Sequence, residues 1–379
     1  MTTSGISGGT SFTGPAGPYP GGDPYADYRA AAFAFEAWPD LADRRLGAGV
    51  IAASDEFFAE RENLLTPEAP VFDPAAYGPK GKVMDGWESR RRRGAHAGRP
   101  HPDDGEHDWA LIRLGVPGAV RGVVVDTAHF RGNHPESVAV EGAALPGTPS
   151  PGELLADDVR WTPLVPRTPV GGHAANGFPV DTARRFTHLR LSQFPDGGIA
   201  RLRVHGEPLP DPAWLAALGT FDLAALEHGG RVEDASDRFF SPPFHSILPG
   251  RSRKMSEGWE TRRRRDKGHD WVRYRLAGHC VPRAVEIDTG CYVGNAAGWA
   301  ALSVLDATTG ADPVDPTAGW TEVLAPTRLQ PDAVHRLALT GVPAATHLRV
   351  DIYPDGGIAR LRVHGSLTEA GVRGLRRSP

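Results

Sequence analysis

Phe194-Pro195-Asp196-Gly197-Gly198-Ile199-Ala200-Arg201-Leu202-Arg203-Val204-His205-Gly206 recurs from Tyr353 to Gly365 with only its first residue changed. Upstream of it, Gly86-Trp87-Glu88-Ser89-Arg90-Arg91-Arg92-Arg93 returns as Gly258-Trp259-Glu260-Thr261-Arg262-Arg263-Arg264-Arg265. His107-Asp108-Trp109 and His269-Asp270-Trp271, then Asp126-Thr127 and Asp288-Thr289, lie between these blocks in the same order. A repeat of roughly 160–180 residues is far longer than the unit of a solenoid or propeller, so each copy is a whole domain. The repeated thirteen residues also point to the fold class. Pro-Asp-Gly-Gly is a turn, and after it Ala200, Leu202 and Val204 alternate with Arg201, Arg203 and His205, the period of a strand with one face on a core. Val272, Tyr274 and Leu276 alternate in the same way with Trp271, Arg273 and Arg275, and the runs from Arg121 to Asp126 and from Arg283 to Asp288 are rich in β-formers. Many short strands between Pro/Gly turns, with few helix-length patterns, predict an all-β chain of two tandem sandwiches or jelly rolls.

The 379 residues are enough for two ordinary domains. The reading places a flexible Gly/Pro-rich lead-in at 1–47, repeat 1 at 48–206, a connector with a short helix at 207–229, repeat 2 at 230–366 and a tail at 367–379. Asp211-Pro212 followed by spaced apolar residues marks the connector helix. Net charge is −4, from 42 basic and 46 acidic side chains, which argues against a nucleic-acid or anionic-membrane surface. Both cysteines, Cys280 and Cys291, fall in the second copy, so they form neither a duplicated disulfide framework nor a four-ligand metal site. No stretch approaches the ~18 apolar residues of a membrane span, and the start lacks a secretory pattern. A cytoplasmic protein with reduced thiols is expected.

The arginine tetrads are the strongest chemical signal. Four consecutive guanidiniums cannot share one face of a regular element, so some meet the protein and others meet solvent or ligand. A guanidinium fork matches a carboxylate. The plainer alternative is a network with Glu88, Asp108 and Asp126. His107 and His269 each head a strand as a candidate base or ligand, and the adjacent Asp points to the opposite face, so adjacency alone makes no dyad. After Asp-Thr, copy one carries His129, Arg131, Asn133, His134 and Glu136, whereas copy two runs from Cys291 to Trp299 and keeps only the Gly-Asn turn. This one-sided loss suggests that copy one holds the fuller chemical set. There is no nucleophile elbow, phosphate loop, dinucleotide fingerprint or Cys-x-x-Cys.

Asp85-Gly86-Trp87-Glu88-Ser89-Arg90-Arg91-Arg92, His107-Asp108-Trp109, Asp126 to Asn133, Phe194 to Arg201 and their second copies together resemble the allantoicases. The resemblance covers roughly residues 48–366. It implies two galactose-binding-like jelly rolls and the hydrolysis of allantoate to ureidoglycolate and urea, a linear-amidine hydrolase reaction of purine degradation. On chemical grounds the catalytic candidates are then His107, His129 and Glu136, for proton transfer. Substrate contacts fall to Arg90, Arg91, Arg92, Arg93 and Arg131 for the carboxylate, and to Asn133, Asp196 and Arg201. The second-repeat counterparts are Arg262, His269, Asn295, Asp355 and Arg360. No cofactor is expected; a divalent metal on His107, His129, His134 and Glu136 would need ligands converging from separate loops. The partner is the small-molecule substrate alone, with no nucleic acid and no membrane, and a homo-oligomer is expected from exposed sheet edges. The alternatives are a non-catalytic tandem module binding a small anion or carbohydrate, and a hydrolase acting on ureidoglycolate.

Overall fold

The computed structural model describes residues 33–375 except 316, together with the backbone of 11–12. The chain divides into two compact units, 1–207 and 208–379. The strands of unit 1 are β1 (Ser11–Phe12), β2 (Gly49–Ala53), β3 (Tyr77–Gly78), β4 (Gly81–Lys82), β5 (Trp87–Glu88), β6 (Asp108–Asp126), β7 (Ser137–Ala143), β8 (Thr162–Pro169), β9 (Ala175–Pro179), β10 (Arg185–Phe194), β11 (Gly198–Ile199) and β12 (Arg201–Pro208). β6 runs for 19 residues and serves both layers. Its first part lies between β2 and β10, with β7 and β8 continuing that sheet; its last part pairs with β9 and β12.

Unit 2 repeats this plan with β13 (Phe221–Asp222), β14 (Arg231–Ala235), β15 (Trp259–Glu260), β16 (Asp270–Asp288), β17 (Trp299–Leu305), β18 (Thr321–Arg328), β19 (Val334–Ala338), β20 (Ala345–Tyr353), β21 (Gly357–Ile358) and β22 (Arg360–Leu367). Each unit is a jelly-roll sandwich, as the period-two patterning implies. Among the described residues no helix is long and apolar enough to cross a membrane. Both cysteines are free thiols.

Ala200, Leu202 and Val204 are buried in the core, as their spacing requires. Trp87 and Trp259 are fully buried, and their indole N–H groups donate to the carbonyls of Asp55 and Asp237 at 2.7 and 2.9 Å. The alternation fails at Arg201, assigned to the polar face but only 1% exposed, and again at its counterpart Arg360 and at Arg273, both buried.

The expected lead-in ends too late. Its stretch from 4 to 24 lies outside the described residues apart from Ser11–Phe12, which adds an edge strand to β9. Residues 33–47, however, belong to the body of unit 1. Leu41 and Ala42 are completely buried, and the rings of Phe35 and Phe33 occupy the space beside Gly122 and Gly177. The Asp40 side chain accepts the Val204 N–H at 2.8 Å, and Asp222 does the same for Val363. The repeats therefore begin near Asp40-Leu41-Ala42 and Asp222-Leu223-Ala224, a short match that the longer blocks overshadow. The connector helix spans Pro212–Leu218, capped by Asp211, and a second short helix, Glu369–Leu375, lies in the tail.

The Pro-Asp-Gly-Gly turns explain both glycines. Gly197 and Gly356 take φ of 145° and 126°, a region closed to other residues, while Gly198 and Gly357 lie flat against the rings of Phe130 and Tyr292. Gly198→Ala drives a methyl into Phe130, and overpacking of this kind costs about 1–3 kcal/mol. Thermal unfolding of unit 1 should fall by several degrees, and an unchanged midpoint would show that the Phe130 contact is slack.

Candidate active site

The arginine run is extended, and its members divide by parity. Arg90 and Arg262 pair with Asp55 and Asp237, each at 2.6 Å. Arg92 and Arg264 reach the buried Asp108 and Asp270 at 2.7 and 2.9 Å, and their backbone N–H groups donate to Asp196 and Asp355 at 2.7 Å. Ser54 and Ser236 add a hydroxyl to the same two buried carboxylates at 2.9 Å. The network reading thus holds for alternate members, while Arg91, Arg93, Arg263 and Arg265 are exposed.

Glu88 sits on β5 between β11 on one side and Ala59 on the other. Asn133 Nδ2 donates to Glu88 Oε1 at 2.9 Å, and in unit 2 Asn295 Nδ2 donates to Glu260 Oε1 at 2.6 Å. The backbone carbonyls of Asn133 and Asn295 accept from Gly198 and Gly357 at 2.7 and 2.8 Å. This double duty explains why the Gly-Asn turn persists in a loop that is otherwise rewritten. Burial pushes the Glu88 carboxyl above the usual carboxylate range, against the pull of Asn133 and Arg91. Burial also raises Asp196, helped by the charge of Asp108 and opposed by the Arg92 N–H and by Arg91. Asn133 and Arg91 therefore act on Glu88, and Arg91 on Asp196 as well, around a residue that sequence reasoning treated only as an ion-pair partner. Its signal was its place in both repeated blocks.

The remaining candidates go elsewhere. His107 lies on the rim over Phe194, ring centroids 4.8 Å apart, with Nδ1 on the Gly105 carbonyl at 2.9 Å. His129 stacks on Phe72 at 5.2 Å and holds the Pro70 carbonyl at 3.3 Å. Desolvation lowers its pKa. Its backbone φ is 70°, as is nearly the case at Cys291 with 69°. The N–H of each is taken by His173 or Asp332, so this corner is a shared turn device. Phe72 and Pro70 belong to the segment Thr66–Asp85, with hairpin β3–β4, which unit 2 replaces by the shorter Pro249–Glu257. Arg131 is near His129, and His134 Nδ1 holds the Arg131 carbonyl at 2.9 Å. Glu136 is exposed.

Arg201 is no ligand fork. Its guanidinium donates to the carbonyls of Glu68, Asp85 and Ala200 and pairs with the Asp85 carboxylate at 2.8 Å. Arg360 likewise donates to the carbonyls of Gly250, His245, Glu257 and Ala359. Among the described residues no three His, Cys, Asp or Glu side chains gather as a metal-holding group, and His107, His129 and His134 are engaged by the carbonyls of Gly105, Pro70 and Arg131.

A family model described as allantoicase repeat matches residues 39–209 and again 221–368. A probable allantoicase of Streptomyces coelicolor is 65% identical over 365 residues, 96% of this chain and 95% of its own length. One from Nocardia farcinica is 51% identical over 340 residues, 89% of this chain and 97% of its own. The crystal structure of allantoicase from Saccharomyces cerevisiae superposes with a TM-score of 0.69 at 31% identity, covering 86% of this chain and 92% of its own.

Proposed function

The chain belongs to the allantoicase family, and from that premise we infer that it hydrolyses allantoate to ureidoglycolate and urea in purine degradation. It is a hydrolase of a non-peptide C–N bond. The reading of the site rests on one observation, the Glu88–Asn133 pair rebuilt as Glu260–Asn295 within otherwise divergent loops.

The substrate is a compact anion with two planar ureido arms on the carbon that bears the carboxylate. Arg91 is an exposed guanidinium that acts on both Glu88 and Asp196, which suits it to the carboxylate. Asn133 spends one amide hydrogen on Glu88, leaving the other for a ureido oxygen. Glu88, ionised, takes a proton from water as the water oxygen bonds to the central carbon. Because that carbon is saturated, its C–N bond breaks as the C–O bond forms, and the departing urea nitrogen takes its proton from solvent. A partly desolvated carboxylate fixed by one amide bond is a stronger base than a solvated one. No metal enters this scheme.

In a Glu260→Gln background, where only unit 1 turns over, the activity should therefore fall toward acid as Glu88 protonates, with kcat/KM dropping at a pH above the usual glutamate range because the folded site raises that group. A limb at ordinary carboxylate pH in that background, or one that adding Glu88→Gln leaves in place, would remove Glu88 from the role. The same reading keeps the protein cytoplasmic. It also has the protein self-associating, since among the described residues no second strand pairs with the outer edge of β19.

A further inference from the structure

We propose that Asp351 is the positioning carboxylate of a His269–Asp351 dyad that makes unit 2 the faster of two acid–base sites; this rests on the base role given above to Glu88, carried to its counterpart Glu260. His269 Nε2 meets Asp351 Oδ1 at 2.8 Å across 82 residues of sequence. Asp351 is only 8% exposed, and Arg349 holds the same carboxylate at 2.7 Å, so the acceptor is rigid. The imidazole lies over Tyr353, centroids 4.7 Å apart, with its side chain 35% exposed. Tyr353 leads directly into the turn Pro354-Asp355-Gly356-Gly357, whose last residue is the strand partner of Glu260.

Unit 1 has the same histidine on the same rim and the same aromatic platform, Phe194 at 4.8 Å. It lacks the carboxylate. The strand partner of Trp271 is Asp351, whereas the partner of Trp109 is Ser192. His107 spends Nδ1 on the Gly105 carbonyl instead. With Asp351 accepting from Nε2–H, the neutral ring of His269 carries its lone pair on Nδ1, and its cation carries a transferable proton there.

Hydrolysis needs a base for water and an acid for the leaving nitrogen. In unit 2 Glu260 takes the water proton and His269 Nδ1–H gives one to the urea nitrogen as the C–N bond breaks. Both groups then exchange protons with solvent, so the cycle closes without a further reactant. Asp351 touches no reacting atom; it fixes the ring and the tautomer. The fuller chemical set thus falls to copy two, the reverse of what the loop sequences suggest.

The test isolates unit 2 in a Glu88→Gln background, using allantoate and a urea readout. Asp351→Asn should lower kcat about 100-fold, within the usual span for general acid–base groups, while KM moves less than about 3-fold. In 15N-histidine spectra the His269 signal should leave the Nε2–H tautomer, a change that loss of packing alone does not produce. Asp351→Glu should recover part of the rate. If Asp351→Asn does not fold, His269→Gln keeps the Asp351–Arg349 pair and should show the same loss. Ser192→Asp in a Glu260→Gln background should speed unit 1 several-fold. Full turnover in the Asp351→Asn or His269→Gln chain overturns the dyad alone. A Glu88→Gln chain that releases no urea overturns both the dyad and the two-site reading on which it stands.

Discussion

Replacing Glu88 and Glu260 together by Gln is expected to lower urea release from allantoate about 1000-fold, since both proposed bases are lost and such groups are commonly worth 10²–10⁴ in rate. Each single variant should keep the share of the untouched unit, because the two carboxylates have no partner in common. Gln retains the oxygen that accepts from Asn133 or Asn295, so the fold has no bond to lose. Stability should in fact move the other way in unit 1. The folded state raises the Glu88 pKa, so it favours the protonated carboxyl. That group's contribution is fully present below its unfolded pKa and is lost as pH rises through the folded value, leaving a partly buried charge at neutrality. Glu88→Gln should therefore unfold at a higher temperature than the parent at pH 7, and the difference should shrink toward pH 4. A variant that is both inactive and markedly less stable would mean that Glu88 is a structural group and that its loss of turnover says nothing about chemistry.

Arg201→Ala should do the opposite, disrupting unit 1 rather than substrate binding. The guanidinium is buried, with an ion pair to Asp85 and donations to three backbone carbonyls. Its removal leaves those carbonyls without their donor and Asp85 without its cation, where Arg201 and the Val71 N–H hold the carboxyl below its usual range against burial. Breaking a buried pair from one side costs about 3–5 kcal/mol. At roughly 2–4 °C per kcal/mol for a unit of this size, the melting temperature of unit 1 should drop by about 10 °C. The KM of the protein that remains folded should hold. A raised KM with an unmoved melting temperature would restore Arg201 to the substrate contacts that the repeated block first suggested.

The contrast between these residues shows which part of the design local sequence carries. Alternation places Ala200, Leu202 and Val204 in the core correctly, because a strand's period is set by backbone geometry alone. The same alternation puts Arg201 outside, and it is wrong there because the burial depends on the segment Thr66–Asp85, which folds over that face from more than 110 residues upstream. Duplication identifies Glu88 as part of something kept twice, but its partner Asn133 lies 45 residues away, in a loop whose two copies look unlike. Ser192 and Asp351 illustrate the same limit. Their equivalence is a matter of strand register opposite Trp109 and Trp271, and no spacing near either histidine reveals it. The candidates read most easily from one loop part company: His129 packs on Phe72 and holds the Pro70 carbonyl, while Glu136 is exposed.

The alternating anchorage of the arginine run has a consequence for how this stretch tolerates change. Deleting one arginine would still leave a guanidinium opposite Asp55 and another opposite Asp108, because the run is four identical residues, and only the outward Arg93 slot would be lost. Deleting two would bring Gly94 opposite Asp108 and leave that buried carboxylate without its cation. Likewise, a polyanion approaching from outside meets only about half the positive charge that the letters spell, so four arginines in a row should not behave here as an import signal or a heparin-binding patch.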